Sequence, residues 1–202
     1  KSGGDPWKLL IFYGLLTVLF SAVLNNVTAM IIIGSLTSVS LKKLHRNELM
    51  LGFLLTEGLL TNVGGLLTLI SSVPNIIVGK EAGITFGNFF LVAAPYVAVT
   101  TVVTLFMAKW LFGIEGLKSD EEKAEAQRMV DSFDPNESIP SKQFFWFSVG
   151  ALCLFIVSLA GQSALPFGLD KLEMGFVALF FAGVVLLAYK SEVDKFYSAV
   201  DW

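Results

Sequence analysis

Residues Leu9 to Leu41 contain no charged side chain, and Asn25-Asn26 sits in the middle of them. As one helix this stretch would run about 50 Å at 1.5 Å per residue, against a bilayer hydrocarbon core of roughly 30 Å. Broken at the two amides, it becomes two legs of roughly 15 residues, each about 22 Å long, which enter a bilayer and return without crossing. The pattern therefore predicts a re-entrant hairpin over about 7–40. Lipid offers no partner to the amides or to freed backbone at the tip, so the tip must be buried in protein or face water. Polar breaks at membrane depth also point to where a transported solute binds.

The rest of the composition agrees with a membrane solvent. Of 202 residues, 54% are hydrophobic and 15% charged, where soluble domains carry about 25% charged residues. Further uncharged stretches run over Gly58–Gly79, Ala82–Ala108, Gln143–Leu169 and Met174–Tyr189. Four crossing helices and one hairpin follow. The net charge of −3 says little, because orientation depends on where Lys and Arg lie. With the hairpin opening to the cytoplasm, the outer loops hold only Lys80 and Lys171 of the 14 basic residues. A spanning first segment would spoil that asymmetry. The expected place is a prokaryotic inner membrane, with several passes.

Cys153 is the single cysteine and His45 the single histidine. They exclude an internal disulfide and clustered soft metal ligands. No signal peptide is visible, and the chain reads as a piece of a longer protein.

A second long segment, about 47–79, is again too long for one straight crossing. It carries interruptions at Asn62-Val63-Gly64-Gly65 and Ser71-Ser72-Val73-Pro74-Asn75. Glycine pairs admit backbone geometries that other residues resist, and proline removes a donor, so a broken helix with an unwound centre is expected. Gly83 to Phe90 reads as a short outer interfacial segment, and a crossing helix over about 93–112 completes a first unit, 1–113. Residues 114–142 are dense in charge and contain Pro135 and Pro140. They form a cytoplasmic linker in which Ser119 and Glu122 make a capping box. Ala126, Met129, Val130 and Phe133 share one face of an amphipathic helix that ends at Asp134-Pro135-Asn136. Residues 143–202 hold two more crossings, about Phe144–Gly161 and Leu172–Tyr189.

Ser21-Ala22-Val23-Leu24-Asn25-Asn26-Val27-Thr28 and Asn62-Val63-Gly64-Gly65-Leu66-Leu67-Thr68-Leu69-Ile70-Ser71-Ser72-Val73-Pro74-Asn75 resemble two motifs of the ion-transporter superfamily. That group includes arsenite permeases, sodium/proton antiporters, the melanosomal P protein and the citrate and dicarboxylate carriers. The resemblance implies an all-α integral membrane fold of two inverted repeats, each with a hairpin and a broken helix whose tips bind substrate and ions. This chain would hold the first repeat, the linker and the start of the second. It would need the missing half, or a partner chain supplying it, and a homodimer is one available assembly. Asn25 and Ser72 stand where the arsenite permease and P protein branch usually has Asp, and Val73 replaces a Pro. Losing two carboxylates shifts weight toward neutral-ligand coordination, as in sodium-coupled anion uptake or oxyanion efflux.

On this reading Asn25, Asn26, Thr28, Asn62, Gly64, Gly65 and Thr68 line a site for a small ion or anionic solute, with Ser21, Ser71, Ser72, Pro74 and Asn75 less central. Helix-end amides favour an anionic group, while oxygens hold a cation such as Na⁺. The bland alternatives are capping of a buried hairpin for the first set and a packing kink for the glycines. Glu57, about ten residues into its helix and hence roughly 15 Å deep, is the candidate for carrying a proton. Its alternative is a structural hydrogen bond to a neighbouring helix. His45 in a basic turn reads as a headgroup contact, and Trp7, Trp110, Trp146 and Trp202 as interfacial anchors. Na⁺ or H⁺ is the expected coupling ion. No other cofactor, no bond chemistry and no nucleic-acid partner are expected. The rival class is a non-transporting scaffold or sensor subunit derived from such a carrier.

Overall fold

A computed structural model describes residues 4–117, 119–131, 142–161 and 174–189. Within them the chain is all-helical, and it divides into two compact units, 1–134 and 135–202. The division falls inside the expected linker.

The uncharged N-terminal stretch forms two helices, α1 (Pro6–Ser21) and α2 (Asn26–Lys43). Asp5 caps α1, its carboxylate accepting from the Lys8 amide at 3.0 Å, and Pro6 opens the first turn, where a missing donor does no harm. The other Asp5 oxygen accepts from the Leu117 amide at 3.0 Å, tying the start of α1 to the chain after the fifth helix. Asn25 caps α2, its Oδ1 accepting from the Val27 amide at 2.8 Å. The two legs run antiparallel, as the 2.6 Å hydrogen bond between the Tyr13 and Ser40 hydroxyls near their open end requires. At the end of α2, Lys42 and Lys43 complement the helix dipole. The Arg46 amide donates back to the Leu41 carbonyl at 2.9 Å and that of His45 to Lys42 at 3.1 Å. This is the paired stop in which the turning residue takes a left-handed conformation, here His45 at φ 53°.

After a 3-10 turn (Asn47–Leu49), α3 (Met50–Gly64) passes through the middle of the unit and packs on α1, α2 and α5. Its inner face carries Phe53 and Leu60, wholly buried with Leu10, Leu41 and Ile114. The helix unwinds over residues 65–72 and resumes as α4 (Val73–Glu81). The interruption thus lies between the two sequence signals. Asn62 and Gly64 still belong to the last turn of α3, and Pro74 sits in the first turn of α4, where helices tolerate it.

The fifth helix, α5 (Phe86–Phe112), starts seven residues before the expected crossing, because Thr85 caps it by accepting from the Asn88 amide at 3.3 Å. Gly83–Phe90 is therefore not a separate interfacial segment: Gly83 turns at φ 63° and the rest from Phe86 is helix. Pro95 is accommodated inside it, and Gly113 ends it at φ 61°. Trp7 stacks near Phe106 and lies under the Lys109 ammonium at 4.8 Å.

In α6 (Asp120–Asp131) the expected reciprocal cap is present: Ser119 Oγ accepts from the Glu121 amide at 3.2 Å and Glu122 from the Ser119 amide at 3.4 Å. The side chains of Met129 and Val130, Phe133 and the expected stop at Asp134-Pro135-Asn136 lie outside the described residues, as does Trp202.

In the second unit α7 (Lys142–Gly161) and α8 (Met174–Ala188) pack together through Phe155 and Phe181, 5.8 Å apart, with Phe144 and Phe147 on Tyr189. Among the described helices, α5 and α7 are long and apolar enough to cross a bilayer. Their outer faces expose Leu91, Val99, Phe106, Leu154 and Val157, which suits hydrocarbon and not water.

Candidate functional site

The two helix interruptions meet. Gly64 lies against α1 so closely that a Cβ there would stand 2.5 Å from the Val18 carbonyl oxygen. Gly65 lies against Asn26, and a Cβ added to it would stand 2.6 Å from Oδ1 of that side chain. Only glycine lets the end of α3 reach this depth between the hairpin legs.

Around that contact the polar groups are interlocked. Asn62 Nδ2 donates to the Gly58 carbonyl at 3.2 Å, which leaves its Oδ1 to accept from Asn26 Nδ2 at 3.3 Å. Asn26 Oδ1 then faces Ser21 Oγ at 2.8 Å. The same hydroxyl is 2.5 Å from the Thr61 carbonyl oxygen. A hydroxyl has one hydrogen, so two acceptors compete for it and lone pairs are in surplus. Thr68, in the unwound segment, donates its hydroxyl to the Ala22 carbonyl and joins the two breaks.

Ser71 and Asn75 hold the unwound segment itself. Ser71 Oγ serves the Gly65 and Thr68 carbonyls, and Asn75 Nδ2 donates to the same two at 2.9 and 3.0 Å. These are carbonyls that the helix has released. Ser72 makes no side-chain cap to α4, and Pro74 is exposed.

The structure therefore brings together Ser21, Asn26, Asn62, Gly64, Gly65 and Thr68, with Ser71 and Asn75 supporting from one side. Asn25 and Thr28 are exposed at the rim, and the Asn25 side chain is engaged in capping. Replacing Asn25 by Ala is expected to destabilise by about 1 kcal/mol, whereas Asp retains the cap and should be near neutral. Melting of the full-length protein in detergent measures both.

Glu57 stands apart, wholly buried on α3, with Oε1 accepting from the Thr37 hydroxyl at 2.5 Å. Tyr13 and Thr17 are polar residues that the motifs do not single out; with Ser21 they recur every four residues along α1, whose one charged residue is Lys8 near its start, and Thr17 and Ser21 are fully buried. That spacing was the available signal for a polar seam on one helix face.

Comparisons with known proteins give the chain a family. The chain matches the citrate transporter family over residues 1–202. It is 28% identical over 204 residues to an uncharacterized transporter of Mycobacterium bovis, and 29% over 204 residues to one of Mycobacterium tuberculosis. A 46 kDa membrane protein of Mycobacterium leprae is 28% identical over 202 residues. Each alignment covers 100% of this chain and 44% of the relative, so the chain spans less than half the length of these proteins. No solved structure matches it. Apolar helices, relatives named as transporters or as a membrane protein, and a family match from end to end lead to one statement: this is an integral membrane protein belonging to the citrate transporter family.

Proposed function

We propose that the chain is the first part of an ion-coupled secondary transporter that moves a small anionic solute or inorganic ion by alternating access. The observation that carries this is the meeting of two interrupted helices at Asn26 and Asn62, 3.3 Å apart although 36 residues separate them. The positive end of α2 and the negative end of α3 converge there. One favours an anionic group and the other a cation, so a solute and a coupling Na⁺ can share the place, whereas a coupling H⁺ would be held on Glu57. Surplus amide oxygen supplies neutral ligands for the cation. The family's description makes a citrate-like carboxylate the first solute to test.

In this reading α1 and α2 form a re-entrant hairpin, α3–α4 a broken crossing and α5, α7 and α8 full crossings of a prokaryotic inner membrane, with 114–142 cytoplasmic. Asn25, Thr28 and Asn62 lie exposed on the side that a second, inverted repeat would cover. Glu57 carries a proton in the cycle.

The test is uptake of radiolabelled citrate and related carboxylates by the full-length protein in proteoliposomes, with imposed Na⁺ or pH gradients. Asn26→Ala and Asn62→Ala are each expected to reduce uptake by at least about tenfold, the equivalent of about 1.4 kcal/mol in the transition state. Uptake unchanged in both variants would remove these tips from the mechanism.

A further inference from the structure

Glu57 is wholly buried, and its Oε2 has no hydrogen-bond partner among the described residues. Among the described residues the single donor to the carboxyl is the Thr37 hydroxyl, fewer than a carboxylate ordinarily takes up. The surroundings are asymmetric along α3. Toward the open end of the hairpin, Ser40 lies one turn beyond Thr37 on α2 and bonds Tyr13 at 2.6 Å. The Tyr13 phenol and the Glu57 carboxyl are within electrostatic reach of each other. Two residues after Ser40 come the exposed Lys42 and Lys43 and the turn to Arg46.

Toward the Asn26–Asn62 cluster the hydroxyls are turned away. Thr61 donates to the Gly58 carbonyl at 2.8 Å and Thr17 to the Tyr13 carbonyl at 2.8 Å. Leu60, on the turn of α3 that follows Glu57, is wholly buried. Among the described residues no hydrogen bond joins Glu57 to the cluster.

The charged and titratable groups around it are few. On α1 they are Tyr13 and the exposed Lys8; α2 has none before Lys42. On α5, Tyr96 is exposed and Lys109 sits over Trp7. The 3-10 turn carries Glu48, 3.7 Å from Arg46.

We propose that Glu57 exchanges its proton with water at the basic turn 42–46 through the Tyr13, Ser40 and Thr37 hydroxyls, by a route separate from the Asn26–Asn62 cluster. Two hydrogen-bonded pairs, Tyr13–Ser40 and Thr37–Glu57, make up the route, and a water molecule bridges the one-turn step from Ser40 to Thr37. Each hydroxyl and the bridging water pass on one hydrogen as they receive another, so one proton leaves water at the turn and one arrives on the carboxyl. The inference deepens the transport reading by giving its proton carrier a sided entrance.

The experiment uses the full-length protein in lipid nanodiscs and follows the infrared carbonyl band of protonated carboxyls after a pH jump. Glu57→Gln should delete one component of that band. Tyr13→Phe combined with Ser40→Ala, which preserves ring and packing, should slow the appearance of this component roughly tenfold. Asn26→Ala, which lowers uptake at least about tenfold under the transport reading, should leave its rate unchanged. An unaltered band in Glu57→Gln, an unchanged rate in the double variant, or slowing by Asn26→Ala overturns the proposal. A failure of the transport reading would show in uptake and not in this band.

Discussion

Replacing Gly64 by alanine is expected to destabilise the protein by about 3 kcal/mol, the upper range for forcing an atom into packed space. The added Cβ would meet the Val18 carbonyl oxygen at 2.5 Å and its Cα at 2.8 Å, and both belong to helical backbone that cannot yield locally. α1 and α3 would have to separate, taking Ser21 away from the Thr61 carbonyl. Gly65→Ala differs in kind. Its new atom meets the Asn26 side chain, which can rotate, so destabilisation of about 1 kcal/mol is expected. The rotation breaks the Asn26–Asn62 contact, so uptake should fall at least about tenfold. Melting and uptake measured on both variants separate the two effects. A Gly64→Ala protein as stable as its parent would mean that α1 and α3 do not approach as described.

Removing the Asn75 side chain is the second large effect. Its Nδ2 serves the Gly65 and Thr68 carbonyls, and Asn75→Ala leaves Ser71 as their remaining side-chain donor. A buried acceptor left without a donor costs about 1–3 kcal/mol, so a loss of roughly 2 kcal/mol is expected. Asn75→Asp keeps the shape but offers an acceptor to two acceptors, and at neutral pH it should be worse than Ala. Melting temperatures in the order Asn, Ala, Asp support the clamp. Equal values for all three would show that α4 does not hold the unwound segment.

Much of this was legible in the chain because hydrocarbon imposes its rules on each segment separately. A long uncharged run must break if it cannot cross once, and Asn25-Asn26 is where the first one does. Gly64-Gly65 announced the second break, although its position was displaced. Asn62 remains helical because its amide can return to the Gly58 carbonyl, and the helix opens where Ser71 and Asn75 can take over the freed carbonyls. The helix of α5 begins at Phe86, ahead of the expected crossing, for a similar reason: a single capping hydroxyl at Thr85 decides it, and capping is a weak signal in sequence beside hydropathy.

The membrane character, the helical class and the two interruptions were thus determined by sequence, since burial in lipid forces every backbone group to find a partner within a few residues. What tertiary structure decided was pairing: Asn26 with Asn62, Thr68 with Ala22, Thr37 with Glu57, Tyr13 with Ser40. Those partners lie 20 to 46 residues apart, on different segments. They meet because glycines allow α3 to sink between the hairpin legs, a consequence of three helices packing at once that no local pattern encodes.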